Sequence, residues 1–316
     1  MLRPILFAAS LTLALPALAE VPQVVTDIGP VESLTAMVMG DLGAPDRLLQ
    51  PGASPHHMAL KPSQARALSG ADVVIWIGPD LTPQLAGQIG TLATSARSLP
   101  LAELPATHLL PARDTGLFPH DHDHDHDEDD HAEHDDHDDD HHDDHGTHDP
   151  HVWLSPENAT LWLSEIAEAL AETDPDNAET YRANARAGTK SIAKAEAEAR
   201  ATLALLDGRP LAVAHDAYQY FEDHFDLTVL GAISDAEANT PGPARLAALR
   251  DGLAADKPAC LLIEPGTDPR LLDIVEGSGV PTATLDPLGT NLPQGATLYP
   301  ALIADMARRI ITCAGR

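Results

Sequence analysis

ADVVIWI, residues 71–77, is a nearly unbroken apolar run held between Gly70 and Gly78. It is rich in β-branched residues and shows no polar alternation. A strand covered on both faces needs that pattern, and such strands belong to parallel sheets flanked by helices. Working outward, Val24-Val25-Thr26 predicts a first strand, residues 31–39 a helix and residues 47–50 a second short strand. Helical segments are expected at 63–68 and 83–89. Strands that alternate with helices imply βαβ units. The same alternation returns later, with strands expected at 211–214, 228–231, 259–263 and 282–285. The helices expected there are 217–225, 244–254, 269–276 and 299–312. Between the two halves lie an amphipathic helix at 156–171 and an Ala-rich, charge-laced helix at 175–206, about 45 Å long at 1.5 Å per residue. The expected fold class is therefore α/β: two βα-repeat lobes joined by a long rigid spine helix, with a cleft between them.

At 316 residues the chain suits two domains of ordinary size, and 43% hydrophobic content excludes general disorder. Only 3% of residues are aromatic, which argues against a ligand gripped by stacked rings, such as a sugar. Residues 1–19 read as a cleavable signal peptide: Arg3 as the basic head, an apolar stretch at 5–15, and Ala17-Leu18-Ala19 as a small-residue cleavage site. No cysteine follows that site, so the exported product is expected to be free of a lipid anchor. The two cysteines, Cys260 and Cys313, are too few for a thiolate zinc site. In an exported chain they favour one disulfide, with two buried free thiols as the alternative.

The formal charge is −30, and sixteen of the forty-nine acidic residues fall between His120 and Asp149 with no Lys or Arg among them. Such acidity excludes nucleic acid as a partner and favours cations. The stretch HDHDHDHDEDDHAEHDDHDDDHHDDH lacks all periodicity, and an insert at 116–147 is expected to be disordered. Eleven of the seventeen histidines lie in or beside it: His120, His122, His124, His126, His131, His134, His137, His141, His142, His145 and His148. Imidazoles interleaved with carboxylates make many interchangeable weak metal sites, each costing chain entropy to form. The alternative is a solvated acidic spacer.

Three histidines outside the insert stand where a strand or turn gives way to a helix: His56 in ASPHHMALKPS, His151 in HDPHVWLSPE and His215 in LAVAHDAYQYF. Ligands bind open α/β sheets outside the carboxyl ends of the strands. Three imidazoles converging there from both lobes would make a nitrogen site with a fourth position left over. Imidazole suits zinc, copper or nickel; manganese and calcium prefer oxygen.

These segments resemble the ZnuA family, periplasmic binding proteins of ATP-driven (ABC) zinc importers. The resemblance is carried by Gly52 to Ser63, ADVVIWIGPD at 71–80, the His/Asp insert, HVWLSPE at 151–157, HDAYQYFE at 215–222, TLDPLGTN at 284–291 and the cysteine placement. It implies His56, His151 and His215 as ligands of one tight Zn²⁺, a periplasmic monomer, and a membrane permease as partner. Some relatives carry a carboxylate just before the first histidine; here Pro55 stands there. Asp286 matches the far-lobe carboxylate used by related proteins and is the expected fourth ligand. A bound water, Glu264 or His57 are its alternatives, and a turn-stabilising role is the other reading of Asp286. The expected boundaries are signal peptide 1–19, first lobe 20–174, connecting helix 175–207 and second lobe 208–316.

Two rival functions share these residues. A zinc hydrolase also needs three histidines and an open position, but no HExxH helix is present, so no enzyme is expected. A zinc buffer or chaperone without an importer would use the same side chains.

Overall fold

The structure, a computed structural model, describes residues 21–113, 148–236, 238–239, 242–267 and 279–315. The expected signal peptide, the insert at 116–147 and the expected helix at 269–276 lie outside the described residues.

Strands β1 (Val24–Thr26), β2 (Asp46–Arg47), β3 (Val73–Trp76) and β4 (Arg97–Pro100) form one parallel sheet in the order β2-β1-β3-β4. All of β1 (VVT) and β3 (VVIW) is buried, as strands covered on both faces must be. β4 escapes a sequence reading because RSLP is mostly polar and ends in proline. At the sheet edge it buries only Leu99, and an edge strand tolerates Pro100. The second sheet repeats the first: β5 (Leu211–His215), β6 (Val229–Ser234), β7 (Leu261–Ile263) and β8 (Thr282–Thr284) pair in parallel in the order β6-β5-β7-β8. In each sheet the chain leaves its first strand in both directions, so a crevice is expected beyond the carboxyl ends at that switch point.

Helices α1 (Gly29–Met39), α2 (Pro62–Ser69), α3 (Pro83–Leu92) and α4 (Pro156–Thr173) accompany the first sheet; α6 (Gln219–Phe225), α7 (Pro243–Asp256) and α8 (Leu298–Ala314) accompany the second. Between them runs α5 (Ala178–Leu203), about 39 Å long, with 3-10 turns at Pro175–Asn177 and Ala204–Leu206. Its buried stripe, Tyr181, Ala185, Gly188, Ile192, Ala195, Ala199 and Leu203, recurs every three or four residues, one face of a helix. Gly188 is required by close approach: a Cβ there would lie 2.9 Å from Leu163 Cδ1 of α4.

The lobes share more than this helix. α8 returns to pack on α5 and α1, and one apolar core extends across both lobes. Tyr299 donates its backbone N–H to Ser33 Oγ (3.0 Å) and its hydroxyl to Trp153 O (2.7 Å). Trp153 Nε1 donates to Pro287 O at 2.9 Å. Cys260 and Cys313 form a disulfide between the residue preceding β7 and α8, so they are not free thiols. Among the described residues no helix is long and apolar enough to cross a membrane.

Candidate metal centre

His215 is the last residue of β5, whose five residues are all buried; the strand carries the ring to the carboxyl edge of the second sheet. Glu264 follows β7, the strand beside β5, at the switch point of that sheet. His151 opens the 3-10 turn Val152–Leu154 ahead of α4. The start of α4 is set locally: Pro156 stands in its first turn, and Ser155 Oγ accepts the Asn158 N–H. Asn158 Nδ2 then donates to Val152 O and His108 O, which holds the turn in place. His56 lies in the loop before α2, between buried Pro55 and exposed His57.

The structure brings these three histidines together. Their ring centroids are 5.4 Å (His56–His151), 5.7 Å (His56–His215) and 5.0 Å (His151–His215) apart, and one nitrogen from each lies within 4.8 Å of the others. They line a cavity of about 300 Å³ with Trp153, Glu264, Asp286 and Thr290.

Two rings have carboxylates behind them. His151 Nδ1 bonds Asp149 Oδ1 at 2.8 Å, which leaves Nε2 for the cavity, and the same oxygen accepts the His151 backbone N–H at 2.9 Å. His215 Nδ1 bonds Glu264 Oε1 at 3.0 Å, while Nε2 meets Ala236 O at 3.1 Å. Burial alone would lower the His215 pKa; the Glu264 carboxylate, with Ala236 O and Asp216, outweighs it and raises the value. His56 is the opposite case. Burial, then the neighbouring His151, His215 and His57, push its pKa down to about 3. Its Nε2 is buried with no hydrogen-bond partner among the described residues, a polar atom in want of an electrophile. Three nitrogen donors, two of them oriented by carboxylates, suit a tetrahedral divalent cation with one position left open.

The other candidates are placed differently. Exposed His57 is not in the cluster. Asp286 lines the cavity, but its oxygens accept the Leu288 N–H (3.0 Å) and the Thr290 N–H (2.7 Å), which is the work of a turn-stabilising aspartate. Glu264 also accepts the Tyr218 hydroxyl at 3.2 Å. His148 lies at an antiparallel bridge with Pro111; the ten other histidines of the His/Asp-rich stretch lie outside the described residues. Asp149 falls within HDPHVWLSPE and Tyr218 within LAVAHDAYQYF, the motifs that carry His151 and His215. Nothing local marked either as a partner of the site.

The family model for the periplasmic zinc-uptake complex component A, ZnuA, matches residues 24–313. The high-affinity zinc uptake system protein ZnuA of Paracoccus denitrificans is 46% identical over 327 residues, covering 100% of this chain and 99% of that protein. Two solved structures share the fold. A periplasmic zinc binding protein from Treponema pallidum, TroA, superposes with a TM-score of 0.73 at 18% identity, covering 93% of this chain and 99% of that one. The solute-binding protein FpvC of Pseudomonas aeruginosa, solved with Mn²⁺, gives 0.74 at 21% identity, covering 94% and 99%. A family match over nearly the whole chain, joined to a full-length relative at this identity, means that this chain belongs to the ZnuA family.

Proposed function

We propose that the protein is a periplasmic, high-affinity zinc-binding protein that passes Zn²⁺ to the membrane permease of an ABC importer. It is not an enzyme: the relatives are named for zinc uptake. On this reading residues 1–19 are a cleaved signal peptide, 20–174 and 208–316 are the lobes, 175–207 connects them, and the mature product is a monomer without a lipid anchor.

The observation that carries the reading is the convergence of three imidazole nitrogens within 4.8 Å, from loops of one lobe and a strand end of the other. His56 and His151 bind the ion from the first lobe and His215 from the second. Asp149 holds the His151 ring so that Nε2 presents its lone pair; Glu264 holds the His215 ring through Nδ1, and its Nε2, which meets Ala236 O here, gives up that contact and its proton to bind the ion. Water or a carboxylate completes the tetrahedron: Glu264 and Asp286 both line the cavity, and both Asp286 oxygens are already engaged by backbone amides. An all-imidazole set selects zinc over manganese. The helix packing of α8 on α5 and α1 supports release by local loop distortion rather than wide lobe rotation. The His/Asp-rich insert serves as an auxiliary scavenger, concentrating Zn²⁺ through its charge and its many weak sites.

Calorimetric zinc titration of the mature protein, a form lacking residues 118–146, and His215→Ala tests this. One tight site kept without the insert and lost with His215→Ala is the expected result. Tight binding that leaves with the insert would overturn the cleft assignment. Loss of zinc-limited growth on deletion, rescued only when permease and ATPase genes are present, separates importer delivery from simple buffering.

A further inference from the structure

The backbone on either side of the His/Asp-rich stretch lies close to the cleft. Pro111 pairs antiparallel with His148, and Leu110 O accepts the Asp149 N–H at 2.9 Å. Both segments are fastened to the second lobe. The Tyr220 hydroxyl on α6 accepts the Leu110 N–H (2.9 Å) and donates to Asp149 O (3.0 Å). Arg113 crosses further. Its Nε donates to Asp216 Oδ2 at 3.1 Å and its Nη2 to Asp216 Oδ1; Nη1 donates to Glu222 Oε2 at 2.7 Å and Nη2 to Glu222 Oε1 at 3.1 Å.

Asp216 and Glu222 are only 3% and 7% exposed, so these are two desolvated carboxylates of like charge bridged by one planar fork. Asp216 is the chain neighbour of His215. On the other side, Asp149 holds both the backbone and the ring of His151. The bracket thus reaches the residue that holds His151 in one lobe and the chain neighbour of His215 in the other.

We propose that Arg113 is a positioning residue for the metal cleft: by gripping Asp216 and Glu222 across the lobes it fixes the strand end that carries His215 against the turn that carries His151. This rests on the reading of the three histidines as a metal site. Electrostatics and positioning here have opposite signs. Removing a cation near a cation site strengthens binding by Coulomb's law alone; removing a support for two donors weakens it.

The test uses the mature, full-length protein as wild type, Arg113→Gln, Arg113→Lys and Arg182→Gln, the last breaking an exposed pair with Glu168. Zn²⁺ affinity is read by competition with a chromophoric chelator. The visible bands of bound Co²⁺ report donor geometry, which a general loss of stability does not move. Arg113→Gln is expected to weaken Zn²⁺ by about tenfold or more, the usual range for an outer support, and to alter the Co²⁺ bands. Arg113→Lys keeps the charge without the two-sided fork and falls between, while Arg182→Gln matches wild type. Unchanged or tighter Zn²⁺ binding by Arg113→Gln, with the wild-type Co²⁺ spectrum, overturns the proposal and leaves the metal site standing. If Arg113→Gln does not fold, Arg113→Lys decides: weaker binding with altered bands supports the proposal, and wild-type values refute it. If His215→Ala binds Zn²⁺ as wild type does, the histidine reading falls and this proposal with it.

Discussion

The two sheets have the same strand order, yet their switch points do opposite things. In the first lobe the residue after β1 is Asp27, fully buried, with Oδ1 accepting the Ile28 N–H (2.7 Å) and Oδ2 the Ile77 N–H (2.8 Å) beyond β3. Both oxygens stitch the loops shut. In the second lobe the residue after β5 is Asp216, gripped by Arg113, while His215 at the end of β5 and Glu264 after β7 line the cavity. The first lobe supplies its imidazoles from elsewhere, the loop before α2 and the turn before α4. Topology therefore nominates a location for a ligand; the side chains placed there decide whether it is a site or a seam.

The largest expected effect breaks the open side of that comparison. His215→Ala should weaken Zn²⁺ by more than the roughly 10–100-fold that loss of an outer partner costs, because a donor itself is removed. Chelator competition checks it; a smaller loss would mean that β5 does not carry a ligand. The closed side is tested by pH. Burial, against three opposing backbone hydrogen bonds, raises the Asp27 pKa from 3.8 to about 7. The native state then holds a proton that the unfolded chain releases near pH 4. Stability from this group is full below that value and declines as pH rises to about 7, by at most about 4 kcal/mol at 1.36 kcal/mol per unit. Asp27→Asn should flatten that part of the urea-unfolding stability profile between pH 4 and 7; an unchanged slope would place the proton elsewhere.

Next come the orienting carboxylates. Asp149→Asn and Glu264→Gln should each weaken Zn²⁺ by about 10–100-fold with little change in metal-free unfolding temperature. Equal losses from the two would mean that both serve as outer partners, whereas a much larger loss at Glu264 would mark it as the fourth ligand. The smallest effect is expected at Asp286→Asn, below about tenfold in affinity, since this carboxylate already serves the Leu288 and Thr290 amides. A loss as large as that of His215→Ala would restore it as a ligand.

Much of the architecture could be read locally. The apolar run at 73–76 marked β3, and the largely apolar VVT and LAVAH marked β1 and β5, because burial on both faces leaves its trace in most residues. The Ala-rich stripe marked α5, though its regular part stops at residues 178 and 203, where 3-10 turns take over. The histidines at strand-to-helix junctions were legible from the same logic. What escaped was long-range. β4 is polar and short, and only its pairing with β3 makes it a strand. Arg113 meets Asp216 and Glu222 more than a hundred residues away, and Tyr220 meets Leu110 at a similar separation. Neither pairing leaves a periodic signal.

The sequence alone thus determined the α/β class, the spine helix and which imidazoles stood at junctions, since these follow from burial patterns within a few residues. Only the tertiary structure decided that the three rings meet, that Asp149 and Glu264 stand behind two of them, and that Asp286, though it lines the cavity, accepts the amides of its own turn. Those outcomes depend on where separate elements pack, and local residue pattern carries no information about the distance between them.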